Sequence, residues 1–507
     1  MTPRQDFDVV IVGGSNTACC TALAAHEAGA ARVAILEAAP KEERGGNARF
    51  SGTAFRFPHQ GRDHLVHVLC DEGKEEAKRC TMGSYTAETF TADMLMKSNG
   101  RHDRVEIETI IKHGYDTVKW MSGHGVPFVL PISIFFDRNK AQNNKDTIVD
   151  VPPGLSLVVK DHGVGLNEAM WAAVEKHPSS IQVFYASPAH DLILDGDRVL
   201  GVRARHRSGY VDFFGRVILC SGGFEANPRM RRQYLGEGTE FLIVRGTRFN
   251  TGVMLERAIV AGAQAHGHWG GYHSAPQDLG APKMGDLEGL DSMSRYSFPY
   301  SITVNLEGNR FVDEGEDEVS LFYSKMGAAI ATQPDAKAFQ IFDQKVLHLL
   351  EPRYSTGAPI TDGTLEGLAK KMGVDPTTFV KTVEGFNRAT QNGGKFDPFR
   401  KDGLATAAGY IPKKSNWAQR LDAPPYVAYG VTNGITFTFG GIKTDARAKV
   451  LNNEGRPMDG LWAAGEITGG FYHGYAAGAS LIRSSVLGRI AGTDAAVEAQ
   501  SAKGARL

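Results

Sequence analysis

Cysteine is scarce in this sequence. Cys19, Cys20, Cys70, Cys80 and Cys220 form no CxxC pair and no CxxCH haem motif, which argues against a secreted disulfide framework and favours a reducing, cytoplasmic setting. Charge of one sign is not in excess either. The formal net charge is -1 and the pI is about 7.0, so neither nucleic acid nor an anionic membrane is expected as a partner. No apolar run approaches the ~20 residues that a membrane span needs; the greasiest, Phe128 to Phe136, is broken by Pro131. The polar start from Met1 to Asp8 predicts no secretory leader. The histidines show no HxxxH or HExxH spacing, so no metal site is expected.

What is present is length and glycine. With 507 residues, 59 of them glycine, 42% hydrophobic and 22% charged, the chain is too long for one core and has the composition of a loop-rich α/β protein of two or three units. Small-molecule chemistry is the default for such a chain.

The most informative stretch is at the start. Asp8 to Val12 is an apolar run suited to a buried parallel strand, followed by Gly13-Gly14-Ser15-Asn16 and the alanine-rich segment Ala18 to Ala30. A second apolar run, Arg32 to Leu36, ends in Glu37, roughly 20 residues past the turn, where a dinucleotide fold places the acid that accepts ribose hydroxyls. The unit reads as βαβ. A helix N-terminus offers unpaired N–H groups and a positive dipole end to a pyrophosphate when the turn carries little bulk. Ser15 and Ala18 stand where glycines are usual, and both are small. Gly13, Gly14, Ser15, Asn16, Ala18, Glu37 and Ala38 are the cofactor-binding candidates of this unit.

Further motifs follow in order: Arg44-Gly45-Gly46-Asn47 with Ser51-Gly52; Val217 to Leu219, then Ser221-Gly222-Gly223-Phe224 with Asn227; Asn250-Thr251-Gly252; Gly308 to Glu314; and Gly460 to Glu466 with Gly478-Ala479-Ser480-Leu481. Together they resemble the fumarate reductase and succinate dehydrogenase flavoprotein family along nearly the whole chain. Local patterns around Asp313-Glu314-Gly315, Tyr323 and Phe471-Tyr472-His473 are similar to its tricarballylate dehydrogenase branch. A flavoprotein module of an oxygen-dependent corrin biosynthesis enzyme shares much of the pattern.

The resemblance implies an α/β fold, with a Rossmann-like FAD domain of the glutathione reductase type and an inserted α+β capping domain. It implies FAD, held non-covalently, with Arg44, Gly45, Gly46, Asn47, Ser51, Gly52, Ser221, Gly222, Gly223, Asn227, Gly465, Glu466, Ala479, Ser480 and Leu481 as further cofactor residues. His59 keeps a covalent attachment open. The expected division is 1–235 for the first part of the FAD domain, 236–350 for the cap, 351–424 for a helical segment linking back, and 425–507 for the rest of the FAD domain. Within these, Tyr210 to Leu219 reads as a strand pair, Gly165 to Lys176 and Leu365 to Gln391 as helical, and Ala495 to Leu507 as a frayed tail.

The family's catalytic positions differ here. Where fumarate reductases carry a proton-donating arginine, a histidine and a second, carboxylate-clamping arginine, this sequence has Glu318, Phe437 and Tyr475. The arginine expected of tricarballylate dehydrogenases falls on Val319. Fumarate and tricarboxylates are therefore disfavoured as substrates, because a buried carboxylate needs charge-assisted partners. Arg245, Arg248 and Arg295 are the candidate replacements. Glu318, Tyr475, His273 and His473 are the candidate acid, base or substrate-orienting groups, while Asp313, Glu314 and Arg310 are expected to pin the cap to the FAD domain. The leading expectation is hydride transfer between the flavin and a C–C bond next to a carbonyl or carboxylate of a small substrate. A separate protein, a quinone or oxygen would serve as electron acceptor. An oxygen-using flavin oxidase or hydroxylase, and a flavin-bearing relay subunit without chemistry of its own, are the alternatives.

Overall fold

The computed structural model describes residues 2–132, 148–206, 209–391, 393–398 and 400–504; the end of the apolar stretch from Phe128 to Phe136 lies outside them. The βαβ unit forms where the sequence pattern puts it. Strands β1 (Arg4–Val12) and β2 (Val33–Leu36) pair in parallel, and helix α1 (Asn16–Glu27) crosses between them. Strand β3 (Ile181–Phe184) extends the sheet beyond β2, and β4 (Gly209–Leu219) lies parallel to β1 on its other side. Val9 and Ile11 pack into the core that includes α1, whereas Val10 and Val12 pack into the opposite core with Met254, Leu255 and Ala258. Burial on both faces explains the unbroken apolar run. Residues 210–219 are one long strand rather than two: β4 pairs antiparallel with Arg198–His206 over residues 209–214 and parallel with β1 over residues 212–219. The helix read at Gly165 to Lys176 runs His162–Val174.

A second sheet of six strands builds the cap. Strand β5 (Ala265–Asp278) is covered by helix α2 (Val319–Ala331) and pairs antiparallel with the long β6 (Tyr426–Ile442), which also pairs with Lys337–Phe342 and Ile360–Asp362. The cap therefore claims β6, and the chain regains the first sheet only at Lys449–Leu451 and β7 (Pro457–Ala463), later than the expected boundary at 425. The predicted helical pair is Leu365–Met372 and Pro376–Ala389; its Leu368, Phe379, Val383 and Phe386 share one core with Ile302, Val304 and Ala428. Residues 365–389 thus belong to the cap's own core. Arg310 and Glu314 form a buried ion pair at 2.5 Å, and Asp313 accepts hydrogen bonds from Ser415. These three residues bind the cap to its own return segment, not to the first sheet.

Helix α3 (Ala479–Gly504) runs through the expected frayed tail as far as Gly504, with Ala491, Ala495 and Ala496 buried in the core that contains α1; residues 505–507 of that tail lie outside the described residues. The crossing is close. A Cβ on Gly492 would sit 2.2 Å from the carbonyl oxygen of Thr21, and one on Gly488 2.8 Å from that of Thr17. Among the described residues, no helix is long and apolar enough to cross a membrane.

Candidate functional site

One cavity of 1080 Å³ is lined by both the first sheet and the cap. Its nucleotide end is built on the turn after β1. Gly13 has φ +112°, and a Cβ there would lie 2.4 Å from the carbonyl oxygen of Cys220; a Cβ on Gly14 would lie 2.2 Å from Glu37 Oε2. Only glycines let β4 and the Glu37 carboxylate come this close. Ser15 caps α1 in an extended conformation and its side chain makes no capping bond. The first-turn N–H groups therefore remain available to an anion. Glu37 accepts N–H bonds from Ala39, Ala38 and Gly14, yet burial pushes its carboxyl up to about 7. Such an acid gains from hydroxyl donors.

The other predicted cofactor residues divide between lining and support. Asn16, Ala38, Gly46, Ser51 and Gly52 line the cavity, as do Ser221, Gly222, Ser480 and Leu481. Asn47 also lines it and ties the two domains together: its Nδ2 donates to Glu225 Oε1 and to the Thr436 carbonyl, and its Oδ1 accepts from the Thr247 N–H. Ala18 lies fully buried beneath the turn, and Ala479 is buried at the start of α3. Gly45 packs against Asn167, Gly223 against Glu466, and Gly465 against Thr17. Asn227 caps the short helix Pro228–Met230. Arg44 stacks on Trp171 and bonds Glu175 and Tyr185, so its side chain packs against the helix His162–Val174. These seven act behind the wall.

The cap completes the cavity. His273 sits where the register of β5 against β6 shifts, and such an irregularity re-aims a side chain. Its ring is 4.6 Å from that of Tyr475 and 4.9 Å from that of Phe437. Its Nδ1 meets Ser324 Oγ at 2.8 Å and its Nε2 meets the Tyr323 hydroxyl at 3.1 Å. Burial holds the imidazole well below its ordinary value, hence neutral. The Tyr475 hydroxyl accepts backbone N–H bonds from Gly478 and Ser480, each at 3.2 Å, which leaves its own hydrogen to donate. Glu318 lines the cavity at the N-cap of α2, its carboxyl raised first by burial and next by Asp317.

Of the three candidate arginines, Arg245 reaches the cavity. It pairs with Asp291, which Arg353 also contacts at 2.8 Å. Beside them the buried Tyr296 hydroxyl has no partner among the described residues. Arg248 is exposed and pairs with Glu43, and Arg295 is buried against Asp278. His473 is the clear correction: it is exposed, with φ +59° and its ring 4.8 Å from that of His268, and it does not line the cavity. A tight turn bridged by Tyr472 and Gly474 places it there. His59 bonds the Pro153 carbonyl and does not line the cavity either.

Sequence reasoning missed Tyr296 and Arg353 altogether and noted Glu225 and Tyr323 only within local patterns, without a role. Val319 and Tyr323, one turn apart on α2, both line the cavity; that helical spacing was the available signal. Arg353 gave none.

FAD fits this site. An uncapped helix N-terminus, a turn where side chains would collide, a buried acid suited to hydroxyl donors and a cavity above the usual size for a small ligand together suit a dinucleotide. The chain is 27% identical over 413 residues to the NADH:acrylate oxidoreductase of Vibrio harveyi, covering 78% of this chain and 37% of that one. It is 29% identical over 368 residues to the 4-oxocyclohexanecarboxylate 2-dehydrogenase of Sinomonas cyclohexanicum, covering 69% and 62%. It thus spans less than two thirds of either relative. A flavocytochrome c3 fumarate reductase in an open conformation has the same fold, with a TM-score of 0.73 at 23% identity over 98% of this chain and 79% of that one. The model of the FAD binding domain family matches residues 8–481. The chain belongs to that family, with FAD as its cofactor.

Proposed function

We propose that this protein is an oxidoreductase that moves a hydride between FAD and a C–C bond adjacent to a carbonyl or carboxylate of a small organic substrate. One observation carries the reading: the dinucleotide cradle at Gly13, Gly14 and Glu37 opens without a break into a chamber walled by Tyr475, His273, Tyr323 and Arg245. FAD, when bound, supplies the hydride donor or acceptor, and the chain must place the substrate and handle the accompanying proton. Tyr475, fixed by two backbone N–H groups, donates to the substrate carbonyl and polarises it. Tyr323 gives or takes the proton at the carbon next to that carbonyl, and neutral His273 exchanges the phenolic hydrogen with it through Nε2 while Ser324 fixes the ring. Phe437 and Phe471 pack around Tyr475 and keep water from the reacting carbons.

Arg245 and Arg353 share Asp291, and Arg353 also meets Glu351 at 3.4 Å, so the cluster leaves no more than one unit of positive charge for the substrate, and that much only while burial keeps Glu351 protonated. That favours a ketone or a monocarboxylate over a tricarboxylate. The Sinomonas relative, named for an oxo acid, accords with this. A small-molecule substrate, a separate electron acceptor (protein, quinone or oxygen) and a cytoplasmic location complete the proposal; the described cysteines are all free, as a reducing compartment allows. The test is to reduce the FAD-loaded protein under strict exclusion of oxygen and mix it with a panel of enones and enoates. Reoxidation with loss of the substrate double bond is expected. A flavin that no compound of the panel reoxidises would contradict the proposal, and its rapid reoxidation when oxygen is then admitted would favour an oxidase.

A further inference from the structure

Behind the cavity wall lies a pair of carboxyl groups that the proposed chemistry does not use. Glu466 lines the cavity, and Glu225 is fully buried in contact with it. A side chain on Gly223 would place a Cβ 2.1 Å from Glu466 Oε1, so that glycine makes room for the pair. Two touching carboxylates repel unless one of them holds a proton. The hydrogen bonds decide which. Glu225 Oε1 accepts two amide N–H bonds at 2.6 Å, from Asn47 and Asn250, and the Arg231 guanidinium, bonded to the Glu225 carbonyl at 2.7 Å, adds a nearby positive charge. Glu225 Oε2 is buried with no donor. Glu466 accepts N–H bonds from Thr438, at 2.9 Å to Oε1, and from Gly223, with the Thr438 hydroxyl at 3.3 Å from Oε1 and the Asn250 amide at 3.4 Å from Oε2; the contacts from Thr438 and Asn250 are all longer than the two amide bonds to Glu225.

We propose that the two share one proton, with Glu466 the neutral acid facing the flavin and donating to Glu225 Oε2, and Glu225 the anion held behind it. Burial pushes both groups upward; the Glu225 charge raises Glu466 further, while the hydrogen bond from Glu466 holds Glu225 down, in keeping with this assignment. Glu225 is then a positioning residue: it keeps negative charge off the cavity wall, where an anion would oppose electron uptake by the flavin. The inference rests on the FAD reading only where it concerns the flavin, since the pair itself is made of protein alone.

The test uses E225Q and E466Q and two readouts. In difference infrared spectra near neutral pH, which cancel the contribution of the Glu37 carboxyl, E466Q should remove one protonated carboxylic acid band from the wild-type spectrum. E225Q should remove it too, because a glutamine amide donating to Glu466 lets that group ionise. In the FAD-loaded protein, the flavin midpoint potential should fall in E225Q and stay near wild type in E466Q. A carboxylic acid band unchanged by E466Q, or equal shifts of potential in the two variants, would overturn the proposal. Should a variant fail to hold FAD, the infrared result on the flavin-free protein decides.

Discussion

Glu37 shows how one residue joins stability to binding. Its carboxyl titrates at about 7 in the folded chain against an ordinary 4.5. As pH rises, the unfolded chain releases this proton first, so the flavin-free protein should lose stability between about 4.5 and 7. Glu37→Gln should flatten that pH dependence in thermal melts. It should also weaken FAD binding by roughly tenfold to a hundredfold, the loss of hydrogen bonds to a charged group worth about 1.5–3 kcal/mol. In the chamber, Tyr323→Phe and Tyr475→Phe should each keep FAD bound and slow hydride transfer by about 10²–10⁴-fold in single-turnover absorbance, whereas His473→Ala should leave the rate unchanged. Arg353→Ala leaves Asp291 to Arg245 alone, frees Glu351 of its partner and so removes one positive charge from the chamber wall. The KM for a carboxylate substrate should then rise roughly tenfold or more, with that for a neutral ketone little changed.

At the level of elements, the crossing of α1 and α3 is the most sensitive joint, because it holds the N-terminus of α1 under the nucleotide end of the cavity. Gly492→Ala would press a methyl group onto the Thr21 carbonyl and should cost about 1–3 kcal/mol in denaturant melts. The same elements mark what a reader of the sequence can see. Strand, turn and helix from β1 to β2 were legible because all their determinants lie within some thirty neighbouring residues: an apolar run, two glycines and an acid. Strand β6 was assigned to the wrong sheet, since its 17 residues carry β-forming character but nothing that names their partners. Helix α3 was cut short because the small residues Ala495 and Ala496 look like a frayed tail until α1 is packed against them.

In the whole molecule, function depends on contacts between segments far apart in sequence. His273, Tyr296, Tyr323, Arg353 and Tyr475 come from β5, α2 and loops of the cap and of the return segment, and they meet only once the second sheet has formed. No local motif could announce that chamber, whereas Tyr475 and His273 were found through resemblance to a family whose members place reactive groups near those positions. His473, chosen the same way, faces outward because its neighbours form a tight turn. The most direct measurement adds saturated ketones and acids, with and without deuterium at the carbon β to the carbonyl or carboxyl, to the oxidised, FAD-loaded protein under anaerobic conditions. The account predicts that at least one substrate bleaches the flavin, that deuterium slows the bleaching, and that Tyr323→Phe slows it further. A panel in which no compound bleaches the flavin, or in which bleaching ignores both deuterium and Tyr323, would contradict it.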